Sequence, residues 1–395
     1  MNVCFETFGC RLNRAEALAD EARFAAEGHR IVSTHAEADM IVVRGCSVTA
    51  RAQKDCERLI RHLEEKYPAK RIVVVGCLPQ AKRRTLPELS EASKTAIPTR
   101  TARAYLKVQD GCSGRCSFCI VPQFRGKSVS EPFDDLMDRA RRFIESGYHE
   151  IVVTGCNLSL YASGGKRLPE LAAALAALSP DCRIRLGSVE PGACALETVH
   201  AMAENPGICR FLHIPVQSGS NRILAAMRRP YQMNDVDSLI TEAVRLMPLV
   251  GIGCDLIAGF PDESEMDFRL TQGFLARHTI SNAHVFPYSP RPGTLAAGLP
   301  GALPEEIRRA RARHLAGLAE ESRRKFAKRF IGRTVEVVVE SESTLKGWTS
   351  EYLWFEKSRT EAIGTRPLAS HRKESMKFKV RAAHGGILYG DGDLG

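Results

Sequence analysis

The chain has 395 residues, a formal net charge of +10, 44% hydrophobic and 26% charged residues, and an odd thirteen cysteines. Length predicts two or three domains, and the balance is that of an ordinary globular protein. No apolar run reaches the length of a membrane span, and Met1-Asn2-Val3-Cys4-Phe5-Glu6 lacks the basic region and apolar core of a signal peptide, so a cytoplasmic protein is expected. In such a chain a disulfide framework is disfavoured and metal ligation accounts better for some of the thiols. The positive charge suits a polyanionic partner such as RNA, although charge alone does not decide it.

Residues 1–77 alternate between strand-like and helix-like segments. Residues 3–7 read as a strand. Asn13 reads as the cap of a helix running to about Ala26, with Glu16 as its capping-box partner and Gly28 as its stop. Strands are expected at 39–43 and 71–75, with a helix over 48–66 between them. This alternation predicts a small parallel α/β sheet. Its strands share one ending, strand-Gly-Cys, in Phe8-Gly9-Cys10, Arg44-Gly45-Cys46 and Val75-Gly76-Cys77. Ligands bind at the carboxyl ends of parallel strands, so Cys10, Cys46 and Cys77 are expected to converge on one site. The glycines let the loops approach closely. Cys4 and Cys56, mid-strand and mid-helix, read as structural.

Residues 78–104, with Pro79, Pro87 and Pro98, read as a linker holding one short helix at most. The next stretch, Lys107-Val108-Gln109-Asp110-Gly111-Cys112-Ser113-Gly114-Arg115-Cys116-Ser117-Phe118-Cys119-Ile120-Val121-Pro122, contains Cys-x3-Cys-x2-Cys. Three thiolates on one loop can hold three corners of a 4Fe–4S cluster and leave its fourth iron open to a small molecule. Zinc is the alternative chemistry, but zinc sites usually pair two short units into four ligands.

Repeated β–α units follow up to about residue 292. Strands are expected at 150–154, 183–188, 211–215, 251–258 and 282–288. Helices are expected at 133–146, 168–178, 196–204, 222–227, 236–246 and 263–277. About six units fit, which predicts a partial parallel barrel. Loops at the carboxyl ends of such strands carry chemistry. They include Gly187-Ser188-Val189-Glu190-Pro191 and His213-Ile214-Pro215-Val216-Gln217-Ser218, where Glu190 and Gln217 can hydrogen-bond a ligand or merely cap the loop. Cys182, Cys194, Cys209 and Cys254 fit no ligand spacing and read as packing residues. Residues 304–330 form a long helix crowded with Arg and Lys; such a run is a solvated face or an RNA-facing one. From about Gly332 short strands separated by turns predict a small β-barrel. Residues 347–355 read as one aromatic strand, whose Trp348, Tyr352 and Trp354 can stack on unpaired bases or form the barrel core.

The cysteine triplet at Cys112, Cys116 and Cys119, with Phe118 before the third, resembles the radical S-adenosylmethionine (SAM) superfamily. Three earlier cysteines, and Phe5-Glu6-Thr7-Phe8-Gly9-Cys10-Arg11-Leu12-Asn13, narrow the resemblance to the methylthiotransferases. Gly347-Trp348-Thr349-Ser350-Glu351-Tyr352 resembles the TRAM domain, an OB-like RNA-binding module. The resemblance implies an auxiliary-cluster domain over 1–103, a radical-SAM partial (β/α)6 barrel over 104–331 and a TRAM-like barrel over 332–395. It implies two 4Fe–4S clusters, one on Cys112, Cys116 and Cys119 and an auxiliary one on Cys10, Cys46 and Cys77. SAM would sit near Phe118, Glu190 and Gln217. The reaction implied converts C–H to C–S–CH3 with two SAM, drawing on an electron donor and a sulfur source, on the anticodon loop of tRNA and without a membrane. Lys107–Cys112 and His284–Ser289 are most similar to the branch that modifies N6-threonylcarbamoyladenosine at position 37. Other branches act on isopentenyladenosine 37 or on a ribosomal-protein aspartate, and a non-catalytic RNA-binding protein with a structural metal is the alternative of another class. Three departures stand out: Arg44-Gly45 replaces the usual Asn-Thr, the segment between Cys77 and Cys112 is short, and Cys156 stands where the family usually has Gln.

Overall fold

The computed structural model describes residues 1–78, 85–90, 93, 95–98, 101–341, 345–358 and 375–391. Pro79 of the expected linker, and Lys373, the first residue of a second basic stretch expected to run from Lys373 to Arg381, lie outside the described residues.

The first unit runs β1 (Asn2–Thr7), α1 (Arg11–Ala26), β2 (Arg30–Val32), β3 (Met40–Cys46), α2 (Ala50–Lys66) and β4 (Arg71–Cys77). Its four strands are all parallel, in the order β2-β1-β3-β4. Met40-Ile41-Val42-Val43 is buried throughout because helices and loops cover both faces, as a continuous apolar run in a parallel sheet requires. Ile41 and Val43 join Cys4, Cys56 and Leu63 on one face, while Met40 and Val42 join Val3 and Phe24 on the other. Cys4 and Cys56 are thus core residues, as expected.

The capping box is a correction. Helix α1 begins at Arg11 with Cys10 in the cap position and no side-chain cap. Asn13 is buried inside the helix and its amide donates to the Phe8 and Gly45 carbonyls. Residues with cap chemistry were here tertiary connectors, a competition that local propensity cannot resolve.

The central unit begins with β5 (Ala104–Lys107). A two-stranded ribbon, β6 (Gln109–Asp110) with β7 (Val129–Ser130), brackets the cysteine loop and the short α3 (Val121–Arg125). There follow α4 (Phe133–Glu145), β8 (Glu150–Thr154), a second ribbon of β9 (Ala162–Ser163) and β10 (Lys166–Arg167), and α5 (Leu168–Ala176). Then come β11 (Arg183–Leu186), α6 (Ala193–Glu204), β12 (Phe211–Gln217), α7 (Asn221–Ala226), α8 (Met233–Leu246), β13 (Gly251–Ala258), α9 (Glu265–Arg277) and β14 (Asn282–Pro287). Strands β5, β8 and β11 pair in parallel, as do β12, β13 and β14. Parallel bridges Ile184–Ile208 and Ser188–His213 connect the two halves. The result is a six-stranded partial barrel. Ile151, Val153, Ile184, Leu186, Leu212 and Ile214 pack outward against the helices. Alternation along the strands therefore turns Glu150, Arg183, Arg185, His213 and Asp255 to the inner face.

Helix α10 (Glu305–Lys328) leads to five strands: β15 (Thr334–Ser341), β16 (Lys346–Thr349), β17 (Trp354–Lys357), β18 (Ser375–His384) and β19 (Ile387–Asp391). They close into a barrel in the order β15-β16-β17-β19-β18, with only β17 and β19 parallel, the small-barrel architecture that OB-type modules use. The aromatic segment 347–355 is not one strand, a second correction. A turn breaks it: Tyr352 is left-handed at φ 63° and the Thr349 hydroxyl accepts from the Leu353 N–H at 3.2 Å. Phe326 and Phe330 at the end of α10 enter this barrel's core.

The turn docks at the amino ends of the central strands. Glu150 is fully buried and receives Arg183 Nε at 2.7 Å and Arg185 Nε at 2.7 Å. The other guanidinium nitrogens donate to backbone carbonyls of the small barrel: Arg183 to Trp348 at 2.7 Å, and Arg185 to Thr349 at 2.8 Å and Ser350 at 3.1 Å. Trp348 stacks on Tyr352 at 4.3 Å, and Tyr352 packs on Phe211 at 4.7 Å. Trp348 and Tyr352 therefore join two domains.

Candidate active site

The three strand-Gly-Cys endings meet. Cys46 and Cys77 are register partners at the ends of β3 and β4, and Cys10 caps α1 beside them. Gly9 sits at φ 95°, and a Cβ there would lie 2.7 Å from Cys46 Cβ and 2.8 Å from its sulfur. Gly76, at φ 99°, faces the Gly45 carbonyl, which a Cβ would approach to 2.7 Å. Glycine is what lets these loops close on each other. Cys10 is exposed, while Cys46 and Cys77 are buried. Burial, with Cys10 and Cys77 close by, pushes the Cys46 thiol up to about 11.

Cys112, Cys116 and Cys119 lie on the loop between β6 and α3. Gly114 leaves room between the first two: a Cβ there would be 3.2 Å from the Cys112 sulfur and 3.9 Å from that of Cys116. Ser117 pins the loop, donating its N–H to Met227 at 3.0 Å and its hydroxyl to Ala226 at 2.8 Å. Phe118 packs against Ile223, Met227, Phe260 and Tyr288. Burial pushes the Cys119 thiol up to about 12. Iron binds thiolate, so loading either triplet must release protons. Free thiols gathered in this way, with no disulfide among the described residues, fit a thiolate-held cluster.

Arg229 was missed from the sequence. Its Nη1 donates to the Cys116 sulfur at 2.8 Å, its Nη2 pairs with Glu190 at 2.7 Å, and its Nε donates to the Tyr231 hydroxyl at 2.9 Å. Glu190 is held on its other side by Asn157 at 2.6 Å. Gln217 ends β12 in a left-handed conformation at φ 67°. A cation and a carboxylate thus lie together beside the second triplet. No motif spacing announces Arg229, because it reaches Cys116 from a distant loop.

A knot of polar side chains joins the two triplets. Glu16 on α1 receives Arg125 at 3.0 Å, Lys107 at 2.9 Å and Arg44 at 2.7 Å. Arg125, at the end of α3, also pairs with Asp110 at 2.9 Å and donates to the side-chain Oδ1 of Asn13 at 2.8 Å. Burial opposes the charge on Glu16, but the hydrogen bond and charge of Arg125, with Lys107 and Arg44, hold it at about 2. Asp110 is likewise held at about 2, against burial, by the Lys107 hydrogen bond and the Arg125 charge. Arg44 also meets Asp20, so the residue that departs from the family pattern is matched by carboxylates of α1. On the far side of the mouth, α2 begins against the loop after β14: Ala50 N–H donates to Ser289 at 3.1 Å, and Arg291 donates to Gln53. The amino-terminal sheet therefore spans the first and last strands of the partial barrel and brings both triplets to one mouth.

Other cysteines fall as expected: Cys182, Cys209 and Cys254 are buried and Cys194 packs at the core's edge. Cys156 lies near the mouth, 3.6 Å from Asp110. On the inner face, Asp255 accepts from His213 at 3.0 Å and His284 at 3.0 Å, so the two imidazoles hold its carboxyl far below the usual range despite burial. In α10, Arg311 pairs with Glu263 at 2.7 Å, and Arg308 donates to the Tyr288 carbonyl. Part of its basic run is thus structural.

Comparison with known proteins follows this division. Residues 106–275 match the radical SAM superfamily model, and residues 2–97 match the model described as uncharacterized protein family UPF0004. The threonylcarbamoyladenosine tRNA methylthiotransferase MtaB of Aquifex aeolicus is 30% identical, over 92% of this chain and 98% of the relative. The tRNA-2-methylthio-N(6)-dimethylallyladenosine synthase of Chlorobium limicola is 32% identical, over 85% of this chain and 86% of the relative. Among solved structures, the radical SAM methyltransferase TsrM of Kitasatospora setae superposes with TM-score 0.50 at 14% identity, over 73% of this chain and 76% of that one, a likeness of fold. No helix among the described residues is long and apolar enough to cross a membrane. Covering nearly the whole of a 30% identical methylthiotransferase, and matched by the radical SAM model, this chain belongs to the radical-SAM methylthiotransferase family.

Proposed function

We propose that the protein adds a methylthio group to N6-threonylcarbamoyladenosine at position 37 of tRNA, using two SAM and two 4Fe–4S clusters. The observation that carries this reading is the meeting of two cysteine triplets at one mouth, tied together by Glu16, Arg125 and Asn13. Cys112, Cys116 and Cys119 would hold one cluster, and Cys10, Cys46 and Cys77 the other. When bound, the first supplies the electron that splits SAM to a 5′-deoxyadenosyl radical, and the second carries the sulfur to be methylated and inserted. Arg229 and Glu190 offer charges matched to the carboxylate and amine of SAM. Phe118 and Gln217 border the same place. The Trp348–Tyr352 turn covers the far end of the inner face.

An anticodon loop presents unstacked bases, the form of RNA that proteins read most readily. The exposed arginines and lysines of α10, and the basic stretch 373–381, would meet its phosphates, so affinity should fall as salt rises. The motifs at Lys107–Cys112 and His284–Ser289, with the Aquifex relative's name, favour the threonylcarbamoyl substrate. The test is expression in cells lacking their own methylthiotransferases, then mass spectrometry of digested tRNA. A methylthio mark on threonylcarbamoyladenosine is expected. A mark on isopentenyladenosine with threonylcarbamoyladenosine unmodified would place the enzyme in the other tRNA branch, which the Chlorobium relative's name represents.

A further inference from the structure

We infer that Arg11 is the anion-binding residue of the substrate cavity and takes the carboxylate carried on the N6 substituent of the target adenosine. The inference rests on the substrate proposed above. Several basic side chains of the inner face and the cysteine loop meet a carboxylate: Lys107 and Arg125 meet Glu16, Arg229 meets Glu190, and Arg183 and Arg185 meet Glu150; Arg115 of the loop is exposed, and buried Arg291 at the mouth donates to Gln53. Half-buried Arg11 forms no ion pair among the described residues. Its guanidinium lies 4.9 Å from the Tyr352 ring centroid, and that of Arg185 lies 5.0 Å from the same centroid. The Tyr352 ring and hydroxyl together hold Arg11 on the inner face without neutralising it, since a neutral phenol offers a cation far less than a carboxylate does.

Arg11 follows Cys10 directly, so its Cα is about 3.8 Å from that of a proposed ligand of the sulfur-carrying cluster. Its side chain reaches away from that triplet toward the Tyr352 floor. An adenosine with C2 turned to the sulfur carries its N6 substituent on the neighbouring side of the ring. A carboxylate there would enter the space between the Cys10 loop and the floor, where Arg11 is a cation with no ion pair among the described residues and Arg291, on the far side of the mouth, is held by Gln53. An isopentenyl group would instead leave a guanidinium buried against an apolar chain, which disfavours it. Arg14 on the next turn also lacks an ion pair among the described residues, but it is exposed and lies over Tyr105 at 5.8 Å.

The test compares three synthetic anticodon stem–loops on the reconstituted full-length protein: N6-threonylcarbamoyladenosine as free acid, its methyl ester, and unmodified adenosine. The wild type should bind the acid roughly tenfold or more tighter than the ester, the worth of a charge-assisted pair. Arg11→Gln should bring that ratio to about one, Arg11→Lys should keep part of it, and Arg14→Gln should keep all of it. The ratio is internal to each protein, so a loss of total folded material does not disturb it. An unchanged ratio in Arg11→Gln overturns the inference alone. Equal weakening of all three RNAs assigns Arg11 to a phosphate and also overturns it. A wild type that does not favour the acid over the ester overturns both this inference and the substrate reading beneath it.

Discussion

The amino-terminal sheet and the carboxyl-terminal barrel grip the central barrel at opposite ends of its strands, and with different chemistry. At the carboxyl ends, the contact is side chain to side chain: Glu16, Asp110, Arg125 and Asn13, of which Glu16 and Asp110 keep 16% and 31% of their side-chain surface. At the amino ends, Arg183 and Arg185, neutralised by a Glu150 with no exposed surface, hold main-chain carbonyls of the Trp348–Ser350 turn, beside one ion pair from Arg103 to Glu340 at 2.6 Å. Ion pairs within reach of water contribute modestly and can adjust, whereas a buried charge that loses its partner is costly. The permanent joint is thus at the floor. The adjustable one lies at the mouth, where substrate must enter and two cysteine triplets must keep their spacing.

Substitutions at each joint test that difference. Glu150→Gln should have the largest effect, because it leaves two guanidiniums buried without a counter-charge, at a cost of about 3–5 kcal/mol. Urea unfolding followed by tryptophan fluorescence reads it directly, since both Trp residues lie in the small barrel. A loss no greater than that of Arg125→Ala would erase the distinction between the joints. Arg125→Ala should cost less, about 1–3 kcal/mol, and its signature should be local: faster hydrogen exchange in α1 with the small barrel unaffected. Acid should do the same thing. Glu16 is held at about 2 against an ordinary 4.5, and Asp110 at about 2 against 3.8. A carboxyl whose folded value is depressed stabilises fully above its unfolded value and loses that as pH falls toward the folded one. The mouth should therefore hold from neutral pH to about pH 4.5 and loosen between there and pH 2. Loosening that begins above pH 5 would implicate other groups. Asn13→Ala should be the smallest change, roughly 1 kcal/mol for the hydrogen bonds to Phe8 and Gly45, visible as exchange at those two loops.

The same contrast explains what the sequence disclosed. The strand-Gly-Cys endings and the Cys-x3-Cys-x2-Cys loop were legible because covalent neighbours carry them. Strands β8 and β13 match their expected bounds because period and punctuation are local signals. Strand β2, three residues long, was too short to show a period. The role of Asn13 and Glu16 was hidden because cap and connector use the same residue types. Glu150 with Arg183 and Arg185 looked like ordinary strand residues, and half of their partners are carbonyls, which every residue carries. Arg229 was invisible for a related reason: what singles it out is its bond to the Cys116 sulfur, brought to it by the barrel.

The central claim is that one chain holds two clusters at one mouth, and an iron count tests it most directly. Anaerobically reconstituted wild type should hold roughly eight irons per chain, and the Cys112→Ala, Cys116→Ala, Cys119→Ala triple variant roughly four, because each cubane carries four. Full retention of roughly four in the variant would locate the second cluster on Cys10, Cys46 and Cys77. A count near zero in that variant, with the protein folded, would contradict the claim and remove the sulfur-insertion chemistry with it.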